Sequence, residues 1–190
     1  MKTLYVISSA APPARRAAIG IRAAQARGWT VCLILTPAAH RWAIEDTADG
    51  PGELPLDQLA ELTGHPVRHQ YKLPSERDVL PPADALLAAP ITLNSLTKWA
   101  GGHADTLALG VLTEGLGKVV PIVALPYINA AQARHPALPR TLATLREAGV
   151  RVLLSDGQDH GEGFVPHPPG HGRVEAYPWD LALDNLPPTD

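Results

Sequence analysis

The stretch "ALLAAPITLNSLTKWA", residues 85–100, decides the fold. Its first five residues, Ala85-Leu86-Leu87-Ala88-Ala89, are continuously apolar, as a strand buried on both faces requires. From Pro90 a helix starts with three small, uncharged polar residues, Thr92, Asn94 and Ser95. A buried strand that hands over directly to a helix is the repeating half of a parallel α/β sheet.

The same alternation runs outward in both directions. Apolar, β-branched-rich runs at residues 4–7, 31–35, 119–125 and 150–154 read as further strands. Ala14, Ala17, Ala18, Ile21 and Ala24 form one helical face, with Arg15, Arg16, Arg22 and Gln25 away from it. Pro12 and Pro13 suit its first turn and Gly28 its C-terminal cap. Leu138, Leu142 and Leu145 repeat the pattern until Gly149, while "PLDQLAELTG" reads as a shorter helix and "PVRHQYKL" as another strand. The expectation is a single-domain, Rossmann-like three-layer α/β sandwich with a doubly wound parallel sheet. Residues 1–154 form its body. Residues 155–190 are a Gly/Pro/His-rich flap with a closing helix over 179–186.

Composition narrows the function classes. At 190 residues, 45% hydrophobic and 18% charged, the chain fills one core. A net charge of −3 without a basic stripe predicts neither a nucleic-acid nor a membrane partner. The lone cysteine, Cys32, lies in the apolar run "TVCLIL" and reads as a buried hydrophobe. It rules out an intrachain disulfide or a cysteine-rich zinc site. The start "MKTLYVISSAA" reads as a first strand rather than a leader, and no apolar stretch reaches about 18 residues, so a cytoplasmic location is expected. His160, His167 and His171 match no strong zinc spacing, so no metal is expected.

In doubly wound sheets ligands sit beyond the carboxyl ends of the strands. Three handovers there carry hydrogen-bonding groups: Ser8 and Ser9 in "SSAAPP", Thr36 in "LTPAAHRW", and Thr92, Asn94 and Ser95 after Pro90. Such residues also cap helices. Hydroxyls beside free first-turn N–H groups suit a phosphorylated, partly aromatic ligand. The G-x-G-x-x-G, Walker-type and G-x-S-x-G motifs are all missing, which removes the signatures of dinucleotide dehydrogenases, P-loop NTPases and α/β-hydrolases.

"PITLNSLTKWAGGHADTLAL" resembles the P-A-S-A-N-T stretch, and the following helix, of the homo-oligomeric flavin-containing cysteine decarboxylases. That family includes phosphopantothenoylcysteine decarboxylase and the peptidyl-cysteine decarboxylases of lantibiotic maturation. Pro90, Thr92, Asn94 and Ser95 fall on its Pro, Ser, Asn and Thr, and Lys98 and Asp105 match common positions. "ALPYINAAQARHPAL" resembles the P-x-M-N-x-x-M-W segment, with Pro126 and Asn129 in register. The first strand–helix–strand and "GHGRVEAYPWDLAL" also look like their family counterparts, so the similarity spans nearly the whole chain.

The resemblance implies FMN shared between subunits of a homotrimer, which in some members assembles into a dodecamer. It implies a lyase that oxidatively decarboxylates a small-molecule or peptidyl cysteinyl substrate. Ser8, Ser9 and Thr36 would lie near the FMN phosphate and ribityl chain. Thr92, Asn94 and Ser95 would contact phosphate, ribityl or ring, with Tyr127 packed near the flavin. Asn129 would bind the substrate carboxylate, and Trp99, on the helix after Pro90, would lie near the subunit interface, with simple core as its alternative. In the tail, Arg173 is a candidate anchor for the flap, with a solvated arginine as the alternative.

Three departures bear on the chemistry. The family's catalytic histidine would fall at or beside Glu76, which leaves His69 as the nearest weak candidate for a base, with His65 close by. Ile128 and Gln132 replace the two methionines of P-x-M-N-x-x-M-W, and the flap cysteine is absent. The reading is therefore an FMN-binding, decarboxylase-like flavoprotein. A non-catalytic flavin-binding or regulatory subunit is the alternative. The glycine-rich first loop of the related flavin prenyltransferases is not matched by "SSAAPP".

Overall fold

β1 (Thr3–Ser8) pairs in parallel on both sides, with β2 (Thr30–Leu35) and with β3 (Ala85–Ile91). β4 (Ile122–Pro126) and β5 (Arg151–Val152) continue beyond β3, also in parallel, which gives the order β2-β1-β3-β4-β5. The computed structural model describes residues 1–45, 53–155 and 163–189. All seven residues of β3 are buried, as its unbroken apolar run demands.

Right-handed crossovers fix which helix covers which face. β1 leads outward through α1 (Ala17–Ala26) to β2, whereas β3 leads the opposite way through α4 (Leu93–Ala100) and α5 (Leu107–Gly117) to β4. The direction reverses between β1 and β3, so their carboxyl ends part there. The closing helix α8 (Trp179–Asp184) packs on α1. A Cβ at Gly20 would lie 2.3 Å from the Trp179 ring, so only glycine admits this approach. On the other side α4 packs against α5 and α7 (Ala137–Glu147), and Lys98 of α4 pairs with Asp105 ahead of α5.

Several expected boundaries move. Val119 and Val120 do not begin the fourth strand. The Val120 N–H donates to Gly115 O and the Val119 N–H to Leu116 O, closing the end of α5. Val119 takes φ 56° and is 87% exposed, so β4 starts three residues later than its β-branched run suggests. The expected strand in "PVRHQYKL" reduces to one parallel bridge, Arg68 with Ile34, at the outer edge of β2 after α3 (Leu56–Thr63). The fifth strand shortens to two residues and resumes as a bridge between Leu154 and Phe164. Pro12–Arg16 form a 3-10 turn that leads into α1. Pro37–Glu45 form a further helix, α2, which the alternation of runs does not reveal. The closing helix ends at Asp184, two residues earlier than expected.

Trp99 is 2% exposed, so it belongs to the chain's own core. Among the described residues no helix is long and apolar enough to cross a membrane.

Candidate functional site

The reversal between β1 and β3 sets the chemistry at the sheet's carboxyl edge. The Ser9 N–H donates to Pro90 O (2.8 Å) and the Ser8 hydroxyl to Ala89 O (2.6 Å), which ties the two strand ends together. The Ser9 hydroxyl donates to Ser95 Oγ (2.9 Å), and Thr92 Oγ1 accepts from the Ser95 N–H (3.3 Å). Thr92 is thus the N-cap of α4 and the outermost member of a buried hydroxyl chain. The N–H groups of Leu93 and Asn94 have no carbonyl partner within the helix.

A groove of about 420 Å³ opens over this edge, within the usual range of about 300–1,000 Å³ for small-molecule sites. One side is the turn after β1, Ala10 to Pro12, and the floor includes Thr92. The opposite side is the turn after β4, with Tyr127, Asn129 and Gln132. The C-terminal segment covers it with His167, Gly170 and Gly172. Asn129 and Gln132 form a reciprocal cap on α6 (Ala130–Ala133): the Gln132 N–H donates to Asn129 Oδ1 (2.9 Å), and the Asn129 N–H to Gln132 Oε1 (3.0 Å). The Ala130 N–H donates to His167 O (2.8 Å), fastening the C-terminal segment to that turn.

Tyr127 packs against Phe164 and His167, with ring centroids 5.1 and 5.0 Å away. Burial, and then the Glu175 carboxylate, raise its hydroxyl pKa, so it serves as a neutral hydrogen-bonding group at pH 7. A Cβ at Gly172 would lie 2.2 Å from Tyr127 Oη and 3.0 Å from His167 Nε2, so the glycine leaves room over both. Nε2 of His167 is buried without a partner among the described residues, while Nδ1 lies 2.9 Å from Pro168 O. An aromatic wall, an uncharged polar rim, a glycine cradle and an orphaned imidazole nitrogen fit a flavin. Among the described residues no Lys or Arg lines the groove, so a phosphate would be met by hydroxyls and backbone N–H groups.

Of the residues expected from the sequence, Thr92, Tyr127 and Asn129 line the groove. Ser8, Ser9 and Ser95 lie beneath it, buried and bonded to one another's strands, so they shape it from below. Thr36 caps α2, accepting the Ala39 N–H at 3.3 Å, and Asn94 is exposed on the first turn of α4; neither is a lining residue. The free amides expected after Ser9 are reduced. Pro12 and Pro13 carry no N–H, and the Ala11 N–H is already donated to Ser9 O.

His69 does not line the groove either. Its ring stacks on His40 at 3.4 Å, and burial, then His40 and Arg68, lower its pKa. Glu76 is exposed and accepts the Leu73 N–H at 2.8 Å. Arg173 and His171 are exposed and outside the lining, and His160 lies outside the described residues. Cys32 is fully buried, and burial pushes its pKa to about 11. Gln132, His167 and Gly172 are among the lining residues that sequence reasoning missed as site residues. The Asn129-x-x-Gln132 spacing carried a capping-box signal. His167 and Gly172 sit in a segment without periodicity.

The family model for flavoproteins matches residues 22–169. The chain belongs to the flavoprotein family. It is 30% identical over 170 residues to the coenzyme A biosynthesis bifunctional protein CoaBC of Mycobacterium bovis, covering 80% of this chain but 40% of that protein. The chain therefore spans well under half the length of this relative. In fold this flavoprotein resembles the FMN-dependent cysteine decarboxylase SpaF, at TM-score 0.60 and 24% identity over 86% of this chain and 90% of that one. It also resembles the cypemycin decarboxylase CypD, at TM-score 0.61 and 19% identity over 97% and 91% of the two chains.

Proposed function

We propose that the chain binds FMN in the groove beyond β1 and β3 and acts on a carboxylate-bearing small molecule or peptide by oxidative decarboxylation or a closely related redox step. The observation that carries this reading is the convergence of Thr92, Tyr127 and Asn129, from three separate chain segments, on one groove. SpaF, which shares the fold, is FMN-dependent, and this supports FMN among the flavins.

FMN, when bound, supplies a two-electron acceptor. The chain's own residues bind and orient. Thr92 and the first turn of α4 present uncharged donors to phosphate or ribityl oxygens. Tyr127 remains protonated against the aromatic cofactor, and Asn129 offers its amide to the substrate carboxylate. Ser8, Ser9 and Ser95 hold the two strand ends at a fixed separation. A homotrimer with the groove at a subunit boundary is the assembly we propose, and the cytoplasm the location.

One observation favours the second reading, a flavin-binding subunit without decarboxylase activity. Counted back from Pro90, the position of the related enzymes' catalytic histidine falls at or beside Glu76, whose carboxylate accepts the Leu73 N–H. A positioned base typically contributes about 10²–10⁴-fold. Its absence therefore predicts slow chemistry or none.

The test begins with the visible spectrum of protein purified without added cofactor and the mass of the ligand released on denaturation. Yellow protein that releases FMN is expected; FAD, or no uptake of FMN on reconstitution, overturns the proposal. Anaerobic mixing with cysteinyl substrates then separates the two readings through flavin bleaching and product mass.

A further inference from the structure

We propose that Gln132 is a specificity-determining residue, pairing with Asn129 as two carboxamide donors that take a substrate carboxylate. The inference rests on the reading of Asn129 given above and adds a second, unassigned donor to it. Its basis is the reciprocal cap of α6. Within a carboxamide only the oxygen accepts a hydrogen bond, so the bonds from Gln132 N to Asn129 Oδ1 and from Asn129 N to Gln132 Oε1 fix both side-chain oxygens toward the main chain. Each side chain is left with its NH₂ group. No hydrogen bond from either NH₂ occurs among the described residues, and both residues line the groove.

Three consequences follow from elementary chemistry. The cap already orders both side chains, so little rotamer freedom remains to be lost when a ligand arrives. The lining holds no Lys, Arg, Asp or Glu among the described residues, and the nearby Glu175 carboxylate that acts on Tyr127 is paired with Arg16 at 3.2 Å. A carboxylate offers two acceptor oxygens to two NH₂ groups, and charge-assisted bonds are roughly twice as strong as neutral ones. A carboxamide ligand would offer one oxygen and turn its own NH₂ against the clamp. The position is held from behind by the bond from Ala130 N–H to His167 O.

The probe pair is N-acetyl-S-methylcysteine and its C-terminal amide, whose blocked sulfur prevents reaction with flavin. Both are titrated onto FMN-loaded protein by saturation-transfer NMR. The wild type is expected to favour the acid by about tenfold or more. Gln132→Glu keeps the oxygen that caps the Asn129 N–H, so its melting temperature should stay close to wild type. Its added negative charge should lower acid affinity at least about tenfold and erase the preference. Gln132→Met should reduce the preference by a smaller factor. An unchanged acid/amide ratio in Gln132→Glu overturns the proposal while leaving Asn129 as a carboxylate residue. A weaker hold on FMN relative to riboflavin in the same variant also overturns it, because the clamp would then serve the cofactor phosphate. If the FMN-loaded wild type binds neither probe, the carboxylate reading of Asn129 fails together with this one.

Discussion

Thr92 belongs to two structures at once. As the N-cap of α4 it satisfies the Ser95 N–H, and as a groove residue it ends the hydroxyl chain that starts at Ser9. Thr92→Ala should therefore cost about 1 kcal/mol in a urea titration, the usual value of a lost cap. It should also speed FMN release, read from the return of free-flavin fluorescence, whereas Thr92→Ser restores both. Cys32 gives a residue-scale prediction in pH. Its thiol is raised by burial from 9.0 to about 11, so the folded state keeps a proton that the unfolded state has lost. That contribution is complete below about pH 9 and disappears as pH rises through about 11. Urea midpoints should fall over this window, and in Cys32→Ala the slope should be shallower by up to about 1.4 kcal/mol per pH unit. At this scale the site was only partly legible. Thr92, Tyr127 and Asn129 were readable because each follows a buried strand. Ser8 was read as facing a ligand, yet as the last residue of β1 its side chain turns back onto Ala89. Sequence places a residue at the sheet edge, but the direction of its hydroxyl is settled by the neighbouring strand.

The elements were legible where burial left no choice. β3 is apolar at every position because helices cover both of its faces, and nothing competes with that pattern. β4 was misjudged because Val119 and Val120 have high strand propensity, and propensity yields to tertiary context. Here the context is the end of α5, which needs a residue in the left-handed region after Lys118. A β-branched residue at φ 56° is strained. Val119 is exposed, so its side chain contributes little packing to set against that strain. Val119→Gly should thus stabilise the protein by about 1 kcal/mol, the relief of the left-handed penalty less the glycine's added freedom when unfolded. Thermal and urea unfolding of the single variant check this. A loss of stability would mean that this turn closes in another conformation. The segment after β5 was legible only as irregular chain. Its role depends on isolated bridges, Leu154 with Phe164 and Asn129 with His167, which leave no periodic trace.

At the scale of the molecule, the strand order brings three distant segments, around residues 10, 92 and 129, to one groove. The chain also exposes apolar residues that its own fold does not use. Tyr71, Leu73 and Val79, all at least half exposed, lie on the segment that returns from the edge of β2 toward β3. Tyr71 is fixed there, its hydroxyl donating to Ala104 O at 2.9 Å beside the start of α5. Exposed large apolar side chains grouped on one surface segment are candidates for the subunit contact of the proposed trimer. A cyclic trimer joins unlike patches head to tail, so one such strip per chain is sufficient. The proposed trimer predicts three times the chain mass for the FMN-loaded protein in light scattering at micromolar concentration. Leu73→Asp with Val79→Asp should shift it toward monomer, because each interface would bury uncompensated carboxylates. Trp99→Phe should leave the mass unchanged, since Trp99 lies in the core and its indole N–H has no partner among the described residues. Monomer alone in the FMN-loaded wild type would contradict the trimer. A trimer that tolerates the double aspartate variant would move the contact to another surface.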